Sequence, residues 1–374
     1  MRKGVAAVLT LLLSLGLSAC VGARPDGAQC PVQDTTRYTQ TARAAPSGPI
    51  NILVLSGGGA WGAYGAGFLN GWSERYASLG MARPQFDAVT GVSTGAIIAP
   101  FALLGRDYDA TLAEAFRGVS SNGLFRQRAI AGLPFWNSLK DPEPMRRAIA
   151  AALDDRALDR LAAATKRRAL FVGAVNFDSG AFTEFELTHL AATRPHDEAR
   201  EAMLQRIMAA SAVPGFFPPQ FIGGCMYMDG AVRENVFLAD MIKTAIGAPG
   251  TDKHVQKPEV TIYTIVNGPL APRPAQTENT LVGVGVRGFE LAANQIQRDS
   301  LRTIHDYAAQ NGYRFLWTSA ENAIAKADEK PASGRCAAPA SITRQFSAGF
   351  TACLFDAGKA QAMAAPNPWR SDRP

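Results

Sequence analysis

Gly91-Val92-Ser93-Thr94-Gly95 places a serine at the centre of a G-x-S-x-G spacing. A serine hydroxyl is a poor nucleophile near neutral pH. It needs exposure on a turn, a base to take its proton and donors for the oxyanion it creates. The spacing meets the first need, because glycines two before and two after allow a sharp strand-to-helix turn free of Cβ clashes. Ser93 then projects from the apex at a helix N-terminus, where the dipole and free amides favour developing negative charge.

The second and third needs point elsewhere in the chain. Gly57-Gly58-Gly59 ends an apolar run, and without side chains these residues can turn consecutive amides onto one point, which suits an oxyanion hole. The loop SGGGAWG matches neither the G-x-x-x-x-G-K-[ST] phosphate loop nor a dinucleotide fingerprint with its acidic partner. For the base, the chain offers only four histidines: His189 and His196 flank a polar stretch, His254 lies in a Lys- and Pro-containing loop, and His305 falls within an amphipathic helix. Asp229 is the stronger candidate. It closes the short apolar run Met226-Tyr227-Met228, and Gly230 after it permits close backbone approach. A partly desolvated carboxylate gains the basicity that taking a serine proton requires. A Ser-Asp-His arrangement with His254 or His305 as base stays open at this point.

These residues need a scaffold that brings strand ends together. Phe86–Thr90 reads as the strand before the elbow, with a helix from Ala96 to about Leu104 after it. Asn51–Ser56 and Ala169–Val175 are continuous apolar runs of strand length, the pattern of strands buried on both faces. Residues 181–187, 260–267 and 313–318 add further strands. Ala60–Ala77 reads as a helix rich in small residues that packs closely on the sheet. A helix opening at Asp141-Pro142-Glu143 is expected to run towards Thr165, another to cover Phe289–Gln310, and one more Ala352–Ala364. Alternating strands and helices predict an α/β fold, three layers in α/β/α order around a mainly parallel central sheet, with the site at strand ends. Val213–Pro219, VPGFFPP, fits either a rigid turn or the wall of an acyl-chain site, since two adjacent phenylalanines are costly to leave in water.

The set SGGGAWGAYGAGFLNGW, GVSTG, ASAVPGFFPP and MDGA, in that order, resembles the patatin-like phospholipase family over roughly residues 50–320. The resemblance implies acyl hydrolysis by a Ser-Asp dyad, with Ser93 as nucleophile, Asp229 as base and Gly57, Gly58 and Gly59 as oxyanion donors. Its implied substrate is a phospholipid or another lipid ester. One position departs: many relatives carry arginine or lysine just before the glycine that follows the triple-glycine turn, where this chain has Trp61. The loop therefore lacks a positive charge that bears on headgroup preference and oxyanion stabilisation. No cofactor or metal is expected, there being no H-E-x-x-H, C-x-x-C or calcium-loop pattern.

The N-terminus suggests where this chemistry takes place. A basic start, Met1-Arg2-Lys3, precedes an uncharged apolar run from Gly4 to Leu17, then Ser18-Ala19-Cys20. The run is short for a permanent span and reads as a leader. Small residues directly before a cysteine resemble the bacterial lipoprotein signal, which predicts a mature chain beginning at an acylated Cys20 and tethered to a membrane surface. Val21 in place of aspartate favours the outer membrane facing the periplasm. The expected organisation is a signal peptide at 1–19, a lipidated tether at 20–49, a catalytic domain at 50–320 and a C-terminal extension at 321–374 packed on it. Export makes the four remaining cysteines disulfide candidates. Cys336 with Cys353 is favoured because a 17-residue crosslink across a loop-rich tail stabilises by about 3 kcal/mol on the chain-entropy model. Cys30 with Cys225 follows by elimination. A net charge of +6 without a long basic run argues against nucleic acid as a partner. A lipoprotein that binds lipid without turnover is the remaining alternative.

Overall fold

The computed structural model describes residues 24, 29–31, 48–127, 138–240, 242, 258–272, 274, 276–277, 279–324, 335–337, 345–364 and 367–374. Cys20, the leader, most of the tether and His254 lie outside the described residues. The strands in chain order are β1 (Ile50–Leu55), β2 (Ala88–Val92), β3 (Arg126–Gln127), β4 (Lys140–Asp141), β5 (Ala169–Asn176), β6 (Phe182–Glu186), β7 (Gln220–Ile222), β8 (Cys225–Asp229), β9 (Val260–Val266) and β10 (Arg314–Ser319). The described helices are α1 (Gly62–Ser78), α2 (Thr94–Leu104), α3 (Asp109–Phe116), α4 (Ser121–Leu124), α5 (Glu143–Ala152), α6 (Asp155–Ala164), α7 (Leu187–Thr193), α8 (His196–Ala210), α9 (Leu281–Asn311) and α10 (Ala348–Met363).

The main sheet runs β10-β9-β1-β2-β5-β8-β7, with β6 also on β5. The block from β10 to β5 is parallel, and β6, β7 and β8 pair antiparallel. It is the mostly parallel α/β sheet that the alternating pattern predicts. Along β1, Leu53 and Leu55 enter one core cluster while Ile50, Ile52 and Val54 enter another. Side chains of a strand alternate between faces, so an unbroken apolar run is what a sheet covered on both sides requires.

The helix expected to continue from Glu143 towards Thr165 is two helices. It breaks at Leu153-Asp154, where Asp154 Oδ1 accepts the Ala157 amide at 2.8 Å and starts α6. A side chain that can cap competes with helix continuation. The small residues of α1 serve two neighbours: the sheet, as expected, and α10, which the sequence pattern does not reveal. A Cβ on Gly67 would meet the Phe355 carbonyl oxygen at 1.9 Å, and one on Gly358 would meet the Tyr64 carbonyl oxygen at 2.1 Å. Backbones in contact bring the C-terminal segment into the main core, where Trp369 packs on Phe68, Trp72 and Tyr263. Disulfides join Cys336 to Cys353, and Cys30 to Cys225 at the start of β8.

Gly358→Ala is expected to lower unfolding free energy by about 1–3 kcal/mol through overpacking, against a gain of up to about 1 kcal/mol in helix propensity. Urea denaturation measures it, and an unchanged or raised midpoint would contradict a backbone contact between α1 and α10.

Candidate active site

β2 stops at Val92 and α2 opens at Thr94, leaving Ser93 between them. With φ 53° and ψ −125°, Ser93 is the one non-glycine residue of positive φ among the described residues. A side-chain-bearing residue held there stores about 1–3 kcal/mol of strain and stays only when its surroundings insist. They do. The Ser93 amide donates to the Ala210 carbonyl at 2.9 Å, while the Ser93 carbonyl accepts from the Ala96 amide at 2.9 Å and from Ser211 Oγ at 3.0 Å. A Cβ on Gly91 would lie 2.3 Å from the Gly95 carbonyl oxygen, and one on Gly95 would lie 2.5 Å from that of Leu55. Both flanking glycines are thus required by contact as well as by the turn.

The register of β5 explains how Asp229 reaches this turn. β2 pairs with Ala169–Gly173 of β5, and β8 pairs antiparallel with Ala174–Asn176. Since β6 occupies the opposite edge over Phe171–Val175, β2 and β8 share one edge of β5, end to end. Val92 lies opposite Gly173 and Asp229 opposite Ala174, so the two strands finish facing each other. The turn Ala210-Ser211-Ala212 ties them together: Ala210 accepts the Ser93 amide, and Ala212 accepts the Asp229 amide at 2.9 Å.

Asp229 is fully buried, and burial raises its pKa from an ordinary 3.8 to about 7. Two contacts oppose that rise: the Ser93 hydroxyl, and the Ala231 amide, which donates to Oδ1 at 2.9 Å. Oδ2 has no hydrogen-bond partner among the described residues. The Ser93 hydroxyl is therefore close enough to act on the carboxylate without closing a bond of standard distance and angle. Such contacts are commonly loose before substrate binds and tighten with it. A hydroxyl beside a buried carboxylate with an open oxygen can give up its proton on attacking a carbonyl.

Of the three loop glycines, the structure leaves Gly57 out of the donor set. Its amide is held by Asn235, at 2.7 Å to Oδ1 and 3.2 Å to the carbonyl oxygen. Gly58 and Gly59 line the cavity with Ser93 and Asp229, and their amides have no acceptor among the described residues. Gly57 instead anchors the loop. Asn235 Nδ2 donates to Gln297 Oε1 at 3.1 Å, and on the other side Asn267 holds Ser56 through its amide to Oγ and its Nδ2 to the carbonyl oxygen, each at 2.7 Å. Neither Asn235 nor Ser211 is marked by any local pattern in the sequence, and Asn267 is marked only by closing a strand just before Gly268-Pro269.

The cavity has a volume of about 1740 Å³ and a mainly apolar lining that includes both Phe216 and Phe217, so VPGFFPP contributes to its wall. Of the described histidines none lines it. His196 pairs at the surface with Asp155 and Asp159, and His305 pairs with Asp306 against the Phe315 ring.

Burial of the Asp229 charge makes a stability prediction. The folded pKa lies above the unfolded one, so this group's contribution is fully present below about pH 4 and declines as pH rises. It is gone once pH passes about 7, a loss of about 4 kcal/mol. Asp229→Asn is expected to remove that slope and to melt above wild type at pH 8. Parallel melting curves across pH 4–8 for the two proteins would contradict a buried ionisable carboxylate.

A sequence profile described as patatin-like phospholipase matches residues 53–242, half of the chain. No curated protein matches. Among solved structures, VipD from Legionella pneumophila is similar at a TM-score of 0.35 and 11% identity, over 87% of this chain and 72% of that one; likeness at that level carries no argument about activity. The profile spans the glycine loop, the elbow and the Asp229 turn that converge in this cavity, and by it the chain belongs to the patatin-like phospholipase family.

Proposed function

We propose that the protein is a serine lipid acyl hydrolase of phospholipase A or lysophospholipase type, working through a Ser93-Asp229 dyad and an acyl-enzyme. Membership of the family supports hydrolysis of lipid esters in general. The observation that carries the finer reading is the convergence of Ser93 with a buried Asp229 of raised pKa in one large apolar cavity. Ser93 Oγ attacks the ester carbonyl carbon as its proton passes to Asp229. The tetrahedral oxyanion faces the amides of Gly58 and Gly59, aided by the positive end of α2. Collapse breaks the ester C–O bond, and the leaving alcohol takes the proton from Asp229. Water then adds to the acyl-enzyme with its proton going to Asp229; collapse breaks the Ser93 ester C–O bond, Ser93 Oγ takes that proton back from Asp229, and the fatty acid is released. The reading with a histidine base has no support from the described histidines.

Fatty-acid release from lipid vesicles and labelling by a fluorophosphonate test the dyad. Ser93→Ala is expected to abolish both, and Asp229→Asn to lower kcat by about 10² to 10⁴. Because the base must be ionised, wild-type kcat/KM is expected to rise with pH through an apparent pKa near 7. Labelling that survives Ser93→Ala sinks the assignment.

We further propose that the enzyme is held at a membrane by acyl chains on Cys20, in the cell envelope and on the periplasmic side of an outer membrane. Support comes from the leader pattern and from two disulfides, which suit an oxidising compartment. Among the described residues no helix is long and apolar enough to cross a membrane. In a bacterial host fed labelled palmitate, the wild-type chain is expected to take up label and sediment with membranes, and Cys20→Ala to lose both properties. Label retained by Cys20→Ala refutes the anchor.

A further inference from the structure

The glycine loop carries Trp61 where a positive charge would be expected, and Trp61 is buried edge-on against Phe350 with ring centroids 5.4 Å apart. A cation nonetheless reaches the same cavity from another part of the chain. Lys140, in the β3–β4 ribbon, lines the cavity and is only 6% exposed. Its backbone is clamped, with its amide donating to the Phe216 carbonyl at 2.9 Å and Gln127 opposite it in the ribbon. Its Nζ stands 3.9 Å from the centroid of the Phe125 ring and 5.8 Å from that of Phe346.

Among the described residues Lys140 has no carboxylate partner and no side-chain hydrogen bond. An ammonium taken out of water is costly, and two aromatic faces return only part of what hydration supplied. Burial accordingly pushes its pKa down. The carboxylates that share the cavity, Glu114, Asp154, Glu290 and Glu321, form no ion pair with it, and Glu290 is paired with Arg287. Lys140 and Gly59 flank the same ring: Phe346, 5.8 Å from the ammonium at its centroid, comes within 3.5 Å of where a Cβ on Gly59 would be, and Lys140 lines the cavity that also holds Ser93 and Asp229.

We propose that Lys140 is the phosphate subsite of this enzyme, its ammonium binding the anionic oxygens of a glycerophospholipid whose ester lies at Ser93. The inference rests on the acyl-hydrolase reading and adds to it the residue that selects a phosphate-bearing glycerolipid over a neutral glyceride. Phe125 and Phe346 hold the cation at a fixed height. The phosphate supplies the counter-charge and acceptors that the described residues do not, and docking it sets the ester carbonyl against Gly58 and Gly59. Specificity of this kind is a difference of affinities, carried by a buried charge left unpaired when the wrong substrate binds.

The test compares wild type with Lys140→Met, which removes the charge at similar length, and Lys140→Arg, which keeps it. The substrates are lauroyl-lysophosphatidylcholine and monolauroylglycerol, esters of the same chain with and without phosphate. Lys140→Met is expected to raise KM for the lysophospholipid at least about tenfold, with a smaller effect on kcat, and to cut the selectivity ratio between the substrates by the same factor. Lys140→Arg should recover most of that ratio. An equal loss on both esters, or a loss on neither, overturns the proposal. A second readout is independent of turnover: calorimetric binding of dodecylphosphocholine, which has no ester, by the Ser93→Ala protein with and without Lys140→Met. Weakening by about tenfold or more with Lys140→Met supports the subsite, even where no ester is cleaved and the hydrolase reading alone fails. If inorganic phosphate binds as tightly as dodecylphosphocholine, or laurate is the ligand whose binding depends on Lys140, the lipid-phosphate assignment is wrong.

Discussion

Two backbone hydrogen bonds from one short turn hold Ser93 and Asp229, the proposed reactive pair, in place. The carbonyls of Ala210 and Ala212 accept the amides of Ser93 and Asp229. Both are main-chain bonds in a buried setting, where loss of either would leave polar groups unsatisfied. They oppose the strain stored at Ser93 and set the spacing of the two side chains from one three-residue platform. α8 ends at that platform, so the packing of a whole helix determines where it stands.

The same economy appears around the glycine loop. Two asparagines from distant strand ends and turns hold Ser56 and Gly57, and Gly58 and Gly59 after them line the cavity with amides that have no acceptor among the described residues. The sequence pattern alone makes Gly57 a third donor, since all three glycines lack side chains and can turn consecutive amides onto one point. Contact makes them unequal: the first is bound by Asn235, and the next two face the cavity. A donor that is already satisfied cannot stabilise an oxyanion, whatever its place in the motif.

In the proposed dyad, burial of Asp229 serves chemistry at the expense of stability. An Asp229 carboxyl in water would be a weak base, and desolvation raises its pKa towards the range where proton transfer from serine is useful. Lys140 is the complementary case, a cation held in an apolar wall with no carboxylate partner among the described residues, whose counter-charge we assign to the substrate. Together they give the cavity one buried proton acceptor and one buried anion receptor in an otherwise mainly apolar space. That composition suits a molecule with a long apolar part and one charged group.

The continuous apolar runs within Asn51–Ser56 and Ala169–Val175 sufficed for a sheet buried on both faces, because successive residues of a strand point to opposite sides and an unbroken apolar run must be covered on each. The elbow was equally legible, since a turn that tight needs glycines at both flanks and nothing remote has to be known. Asp229 could be singled out by its strand-end position and by the motifs that accompany it, but its meeting with Ser93 could not be read off. That meeting depends on β2 and β8 sharing an edge of β5, a register set by pairing across more than a hundred residues. Nor could the chain sequence reveal that Lys140 enters the same cavity, that α10 touches α1 backbone to backbone, or that Asn235 occupies Gly57. Each of these is a contact between segments far apart in sequence, decided by how whole elements pack, so no local residue pattern encodes it.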